Sequence, residues 1–354
     1  MSEPVRSCDR RGFMRGAGQL SLVASGAGLL GLPAQAAQPT SLENEKAEEP
    51  LAEATINALE GAYGVHPKQR RNHTKDVGAL GIFTGNPEVQ RWSKSRLFSG
   101  EATHVVGRFS IAGGDPKVKD SDRSPRGLAL EFRIPDGSLH HMTMLNTPMF
   151  FAQVPQTFLD KFIALAVDPT TGKADPARFA AFNASHPDTR GQVKFLTDNN
   201  PPRSYSEEAY FGIHTFFVAN KAGQRQKVKF HFEPRDEIHR LTDQQMNSLP
   251  DHFLEAALSE RLRRGPAEWD LILTLGEPQD EEINPTLLWP SNRPKIKAGR
   301  LRLHSSASSE QAGSSKINFD PLMLSDGFEA SSDPILLFRS PSYAVSHGRR
   351  LQEA

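Results

Sequence analysis

The chain has 354 residues, with 42 basic and 42 acidic side chains, 37% hydrophobic content and one cysteine. That length suits one large domain or two ordinary ones, and the charge balance excludes a protein built mainly to hold nucleic acid, which needs a basic surplus. One cysteine excludes an intramolecular disulfide and a thiolate zinc or iron–sulfur cage, and the longest apolar run, Leu20 to Leu32, is too short and too diluted by Gly and Ser for a stable membrane anchor.

Residues 1–36 read as an export leader. Arg10-Arg11-Gly12-Phe13 is followed by a mild apolar run and then by the small-x-small site Ala34-Gln35-Ala36. The arginine pair with Phe two places on resembles the twin-arginine signal, and seven Gly or Ser residues from Gly16 to Gly31 keep the run weakly hydrophobic. The expectation is recognition by the twin-arginine export machinery, cleavage near Ala36 and a periplasmic or otherwise exported protein. That route carries folded proteins, which favours a prosthetic group inserted before export. The lone Cys8 falls in the leader, as do four basic and two acidic residues, so the chain from Ala37 has 38 basic against 40 acidic residues. Without cysteine it has no thiolate or thioether bond to offer a haem.

Residues 37–54 are acidic and poor in apolar side chains, and read as a linker to a domain over 55–354. Short β-branched or alternating runs follow at Thr103–Ile111, Gly127–Ile134, Phe211–Val218, Lys227–Phe232 and Asp270–Leu275. Helical patterns fall at Phe158–Ala166, at Pro176–Asn183 and over Thr242–Arg264, the last opened by the capping sequence Thr242-Asp243-Gln244-Gln245. A last helix runs from Pro334 towards Arg350. The pattern predicts an α+β chain with an antiparallel sheet, closed as a barrel, and C-terminal helices.

In that last helix Arg339, Tyr343, His347 and Arg350 are spaced four, four and three, so they share a face, and Pro341 should kink it. A guanidinium beside a tyrosine oxygen favours the phenolate, one of the few protein ligands for ferric haem. By itself such a pair is more often a packing feature. The segment nevertheless resembles the haem-binding helix of haem catalases, Arg-x-x-x-Tyr-x-x-x-His-x-x-Arg. Further motifs of that family occur in order. Arg70-Arg71-Asn72-His73-Thr74-Lys75-Asp76-Val77-Gly78-Ala79 is similar to its Arg-x-x-His-Ala-Lys-Gly-x-Gly-Ala. Arg108-Phe109-Ser110, Arg123-Ser124-Pro125-Arg126-Gly127, Asn146-Thr147-Pro148-Met149-Phe150-Phe151, Tyr210-Phe211-Gly212-Ile213-His214 and Phe319-Asp320-Pro321 continue the match. The likeness spans Gly61 to Arg350 and is strongest to the compact exported branch, the catalase-related peroxidases.

The resemblance implies a catalase-like barrel binding haem b, and an enzyme that reduces hydrogen peroxide and organic hydroperoxides with a small-molecule electron donor. A ferryl intermediate would form with help from a distal histidine. In that reading His73 is the distal acid–base, ranked above His66, which lacks the preceding arginine. Asn146 orients the peroxide, and Ser110 sets the His73 tautomer. Arg70, Arg108 and Arg350 pair with the propionates, while Tyr343 is the iron ligand and Arg339 its charge partner. His347 is a second proximal-side residue. Asp76 and Thr74 depart from the usual Gly and Ala. Ser124 stands for a channel aspartate and Ala112 for a bulkier valine, which predicts a wider channel that admits bulky organic hydroperoxides. True catalase activity, hydroperoxide rearrangement and non-catalytic haem binding or sensing are the alternatives. The donor, nicotinamide binding and homo-oligomer formation are left open by the sequence.

Overall fold

A computed structural model describes residues 41–353. The expected leader, with Arg10-Arg11 and the site at Ala36, lies outside them. In chain order the elements begin with α1 (Ser41–Tyr63), β1 (Asp76–Gly85), β2 (Ala102–Ile111), β3 (Arg126–Arg133) and β4 (Leu139–Leu145). An insertion follows, with α2 (Pro155–Ala164), the small hairpin β5 (Val167–Asp168) and β6 (Lys173–Ala174), α3 (Pro176–Ser185) and α4 (Arg190–Asp198). Then come β7 (Tyr210–Phe211), β8 (Phe216–Ala219), β9 (Arg225–Pro234), α5 (Asp243–Ser248), α6 (Leu254–Arg263), β10 (Ala267–Leu275), β11 (Lys295–Ala307), β12 (Phe328–Ala330) and α7 (Pro334–Gln352).

The strands close an antiparallel barrel in the order β1-β2-β3-β4-β7-β9-β10-β11, with β11 returning to β1. The α+β expectation and its barrel are therefore correct. Closure removes the sheet edges that an open sheet would leave unpaired. Alternate residues of β10, namely Ala267, Trp269, Leu271 and Leu273, point inward and are wholly buried with Phe83, Phe109, Phe132 and Phe232. Each leucine and phenylalanine among them stabilises the fold by about 1.5–3 kcal/mol. Gly299 on β11 is required by this packing, because a Cβ there would come within 2.3 Å of the Phe83 ring. No described helix is long and apolar enough to cross a membrane.

Three expectations need correction. The stretch Phe211–Val218 is not one strand: β7 stops and β8 restarts, with Ile213 between them at φ 46°. That break lets His214 leave the barrel ladder and face α7. The long helix over Thr242–Arg264 is two helices. Pro250 has no N–H and holds Leu249 extended at ψ 149°, so α5 ends at Ser248. α6 then starts on a buried carboxylate, Asp120, which accepts from Leu254 N at 2.7 Å. Residues 41–54, read as a linker, are helical and continuous with the rest of α1. Glu, Ala, Leu and Lys are strong helix formers. Ala52, Ile56, Leu59 and Ala62 recur at helical spacing and are buried, the last three in a cluster with Phe151, Phe162 and Ile335.

Candidate active site

Between the barrel, α1, α2 and α7 lies a cavity with about 1170 Å3 of empty space, counted out to its open mouth. Its walls bring together Arg70, His73, Arg108, Arg339, Tyr343, His347 and Arg350, which are more than two hundred residues apart in sequence at the extremes. Apolar side chains, among them Ile56, Leu59, Leu128, Phe150, Phe158 and Phe338, form most of the remaining surface.

His73 sits in the turn before β1 with φ 57°, in the left-handed region. Histidine tolerates that region better than bulky residues do. Asn72 braces the turn: its Oδ1 accepts from His73 N at 2.9 Å and from Gly113 N at 2.8 Å. The ring Nδ1 lies 2.9 Å from Ser110 Oγ on β2, and Arg108 Nη1 donates to the His73 carbonyl at 3.2 Å. Gly127 makes room for this pair, since a Cβ there would approach Ser110 Oγ to 2.8 Å and the His73 ring to 2.9 Å. Burial, and then the positive charges of Arg108, Arg339 and Arg70, hold the His73 pKa well below its ordinary value. The imidazole is therefore neutral at pH 7, and Nε2 is the ring nitrogen that Ser110 leaves unengaged.

On the α7 side, Asp333 caps the helix by accepting from Ile335 N at 2.8 Å, with Pro334 as the first helical residue. The helix continues through Pro341 to Gln352, which keeps Arg339, Tyr343 and His347 on the cavity. Asp333 also accepts from His214 Nδ1 at 2.7 Å, so His214 Nε2 is left to accept from Arg339 Nη1 at 3.0 Å. Arg339 Nη2 donates to Tyr343 Oη at 2.8 Å and to Thr143 Oγ1 at 2.6 Å. The guanidinium thus bridges a fixed histidine–aspartate pair and the phenol oxygen. Burial lowers the His214 pKa against the opposing pull of Asp333. Sequence reading gave no role to His214, Asp333 or Thr143. An Asp-Pro pair at a helix start was the available signal for Asp333, whereas His214 shows itself only once the β7–β8 break is known.

Asn146 stands apart. Its Oδ1 accepts from Arg126 N at 2.8 Å and its Nδ2 donates to Glu208 at 2.9 Å, so both ends of the amide are engaged. Glu208 is 1% exposed and is held in turn by Arg240. Asn146 does not line the main cavity. It borders a much smaller polar one with Ser124, Arg126 and Arg240. Asn146 is thus not among the residues that face the cavity with His73 in this structure. Ala112 and Ser124, read as widening the channel, do not line the main cavity either.

The remaining three arginines fit a dicarboxylate ligand. Burial lowers the pKa of all three, and Arg108 lowers that of Arg70 and Arg350 further, with Arg350 also acting on Arg70. Among the described residues the carboxylate paired with them is Asp76. Arg108 Nε is buried without a hydrogen-bond partner, a costly state for a guanidinium unless a ligand completes it. A porphyrin with two propionates supplies what the cluster lacks, and Tyr343 supplies an oxygen ligand of the kind ferric haem takes. The residues present fit haem.

Comparison with known proteins agrees with the architecture. The family model described as Catalase matches residues 66–354. A protein named catalase-related peroxidase from Synechococcus elongatus is 44% identical over 295 residues, covering 83% of this chain and 87% of that one. Another of that name from Mycolicibacterium paratuberculosis is 28% identical, covering 82% and 92%. The solved structure of catalase A from Saccharomyces cerevisiae superposes with a TM-score of 0.74 at 25% identity, over 92% of this chain and 68% of the yeast one. A family match that begins at His66 and takes in the barrel, the His73 turn and α7 places the chain in the catalase family.

Proposed function

We propose that the protein is a haem-dependent peroxidase, reducing hydrogen peroxide and organic hydroperoxides with electrons from a small external donor. The single observation that carries this is one cavity in which a neutral, Ser110-bound His73 and an Arg339-bound Tyr343 both face the interior. The similarity to proteins named catalase-related peroxidase favours this over peroxide disproportionation. When bound, haem would supply the redox chemistry that breaks the O–O bond. Tyr343 would hold its iron, and Arg70, Arg108 and Arg350 its propionates, with haem b the form these non-covalent contacts suit. His73 Nε2 takes the proton of the incoming peroxide and returns it to the departing oxygen, and Ser110 keeps the ring oriented. In balance, one hydroperoxide gives an alcohol and water while the donor yields two electrons and two protons.

Rapid mixing of the haem-loaded protein with hydrogen peroxide or cumene hydroperoxide, with a phenolic donor present, tests the reading. Donor oxidation is expected with both peroxides and oxygen release is expected to be minor. Oxygen evolution that dwarfs donor oxidation would make it a catalase. Export by the twin-arginine route rests on the leader sequence alone, and a mature N-terminus near Ala37 is its measurable mark.

A further inference from the structure

Asp76 opens β1, opposite Ser110 in the ladder with β2. Its Oδ2 lies 3.2 Å from Arg70 Nη1 and 3.9 Å from Arg108 Nη1, and its Oδ1 accepts from Ser309 Oγ at 2.5 Å. The side chain is 14% exposed. Arg70 is further held by the carbonyls of Ser314 and Ile317, at 2.7 and 2.9 Å. The carboxylate is thus pinned on both oxygens, at a position where the catalase-like motif has glycine. Arg70, Arg108 and Arg350 carry three positive charges and Asp76 cancels one of them. The two that remain match the two propionates of a haem.

We propose that Asp76 is a positioning residue for the cofactor, serving as the resident counter-ion of Arg70 and Arg108 and thereby setting how tightly a propionate-bearing porphyrin is held. The proposal rests on the haem reading above. Asp76 acts in two ways of opposite sign. Its hydrogen-bonding oxygens place the two guanidiniums, which helps the ligand. Its charge competes with a propionate for the same cations and repels it, which weakens the ligand. A glycine at this position does neither.

Asp76→Asn separates the two effects, because the amide oxygen still accepts from an arginine while the charge is gone. In the haem-loaded protein, transfer of haem to excess apomyoglobin should slow about tenfold in Asp76→Asn. Asp76→Glu should keep the wild-type direction, and Asp76→Ala, which loses placement as well, should lose haem faster than Asp76→Asn. A merely structural aspartate would make all three variants shed haem faster than wild type. Unchanged or faster haem loss in Asp76→Asn overturns the proposal while leaving the haem reading intact. A wild-type protein that takes up no haem overturns both. If the haem-free Asp76→Asn protein does not fold, loading during expression still gives the off-rate that decides the matter.

Discussion

Replacing Tyr343 with Phe should strip the protein of its cofactor without unfolding it. The hydroxyl is a single atom on the cavity wall, and its protein partner is Arg339. After the substitution Arg339 still donates to His214 Nε2 and to Thr143 Oγ1, so no buried cation is orphaned. The cost to the fold is then that of the hydrogen bonds Arg339 donates to the hydroxyl from Nε and Nη2, about 1.5–3 kcal/mol for bonds to a charged group. The cost to haem would be far larger, since the oxygen proposed to hold its iron is gone. Changing a residue that merely supports a metal ligand costs about 10–100-fold in affinity. Loss of the ligand itself should exceed that, with haem retained through gel filtration falling more than about 100-fold. Arg339→Lys should fall in the intermediate range, because a lysine keeps the charge but not the fork that spans His214, Thr143 and Tyr343. Full haem retention and an unchanged haem spectrum in Tyr343→Phe would remove Tyr343 from the iron.

What the sequence made legible follows from how local each signal is. The Arg339–Tyr343–His347–Arg350 face is a helical spacing, readable from four positions, and the structure keeps it on one cavity wall despite Pro341. His73 and Ser110 were placed by motif order, and a barrel register that sets β1 against β2 brings them to 2.9 Å. What stayed illegible is tertiary in origin. Asn146 has the right residue type in the right motif, yet Glu208 and the backbone of Arg126 claim its amide, and neither claim is visible in Asn-Thr-Pro. Residues 41–54 looked too polar to pack, but a helix needs only a stripe, and Ala52 already begins it. Strand β4 was missed because burial of both faces erases the alternation that marks a half-buried strand, whereas β1 and β11 keep an alternating burial pattern that glycines and charged side chains obscure in the sequence.

His73 is the substitution expected to abolish turnover while sparing haem. A general acid–base contributes about 10²–10⁴-fold, so peroxide-driven donor oxidation should fall by that factor in the variant. The choice of substitute matters, because position 73 has φ 57°. Alanine is strained there by about 1–2 kcal/mol, whereas asparagine accepts the left-handed region. His73→Asn therefore removes the basic nitrogen and keeps the turn, and His73→Ala serves as the harsher control. Ser110→Ala should cost less than either, since it frees the ring without deleting it. The pH profile gives a second, independent reading. Because burial and neighbouring guanidiniums lower the His73 pKa well below 6.5, the neutral base persists as pH falls through 6.5, and activity should decline only when the ring finally binds a proton. An acid limb centred at or above 6.5 would assign it to another group. The same burial acts on stability: below 6.5 the unfolded chain binds a proton at this histidine that the native protein refuses, so acid progressively favours unfolding. Asn146→Ala makes the opposite pairing of effects. It leaves Glu208 and the Arg126 amide short of partners in a buried site, which should destabilise the fold by about 1–3 kcal/mol. Turnover of the folded fraction should nevertheless stay within a few-fold of wild type, because the amide is spent on the protein rather than on the cavity. A drop in turnover matching that of His73→Asn would mean that Asn146 leaves Glu208 and enters the cavity during the reaction.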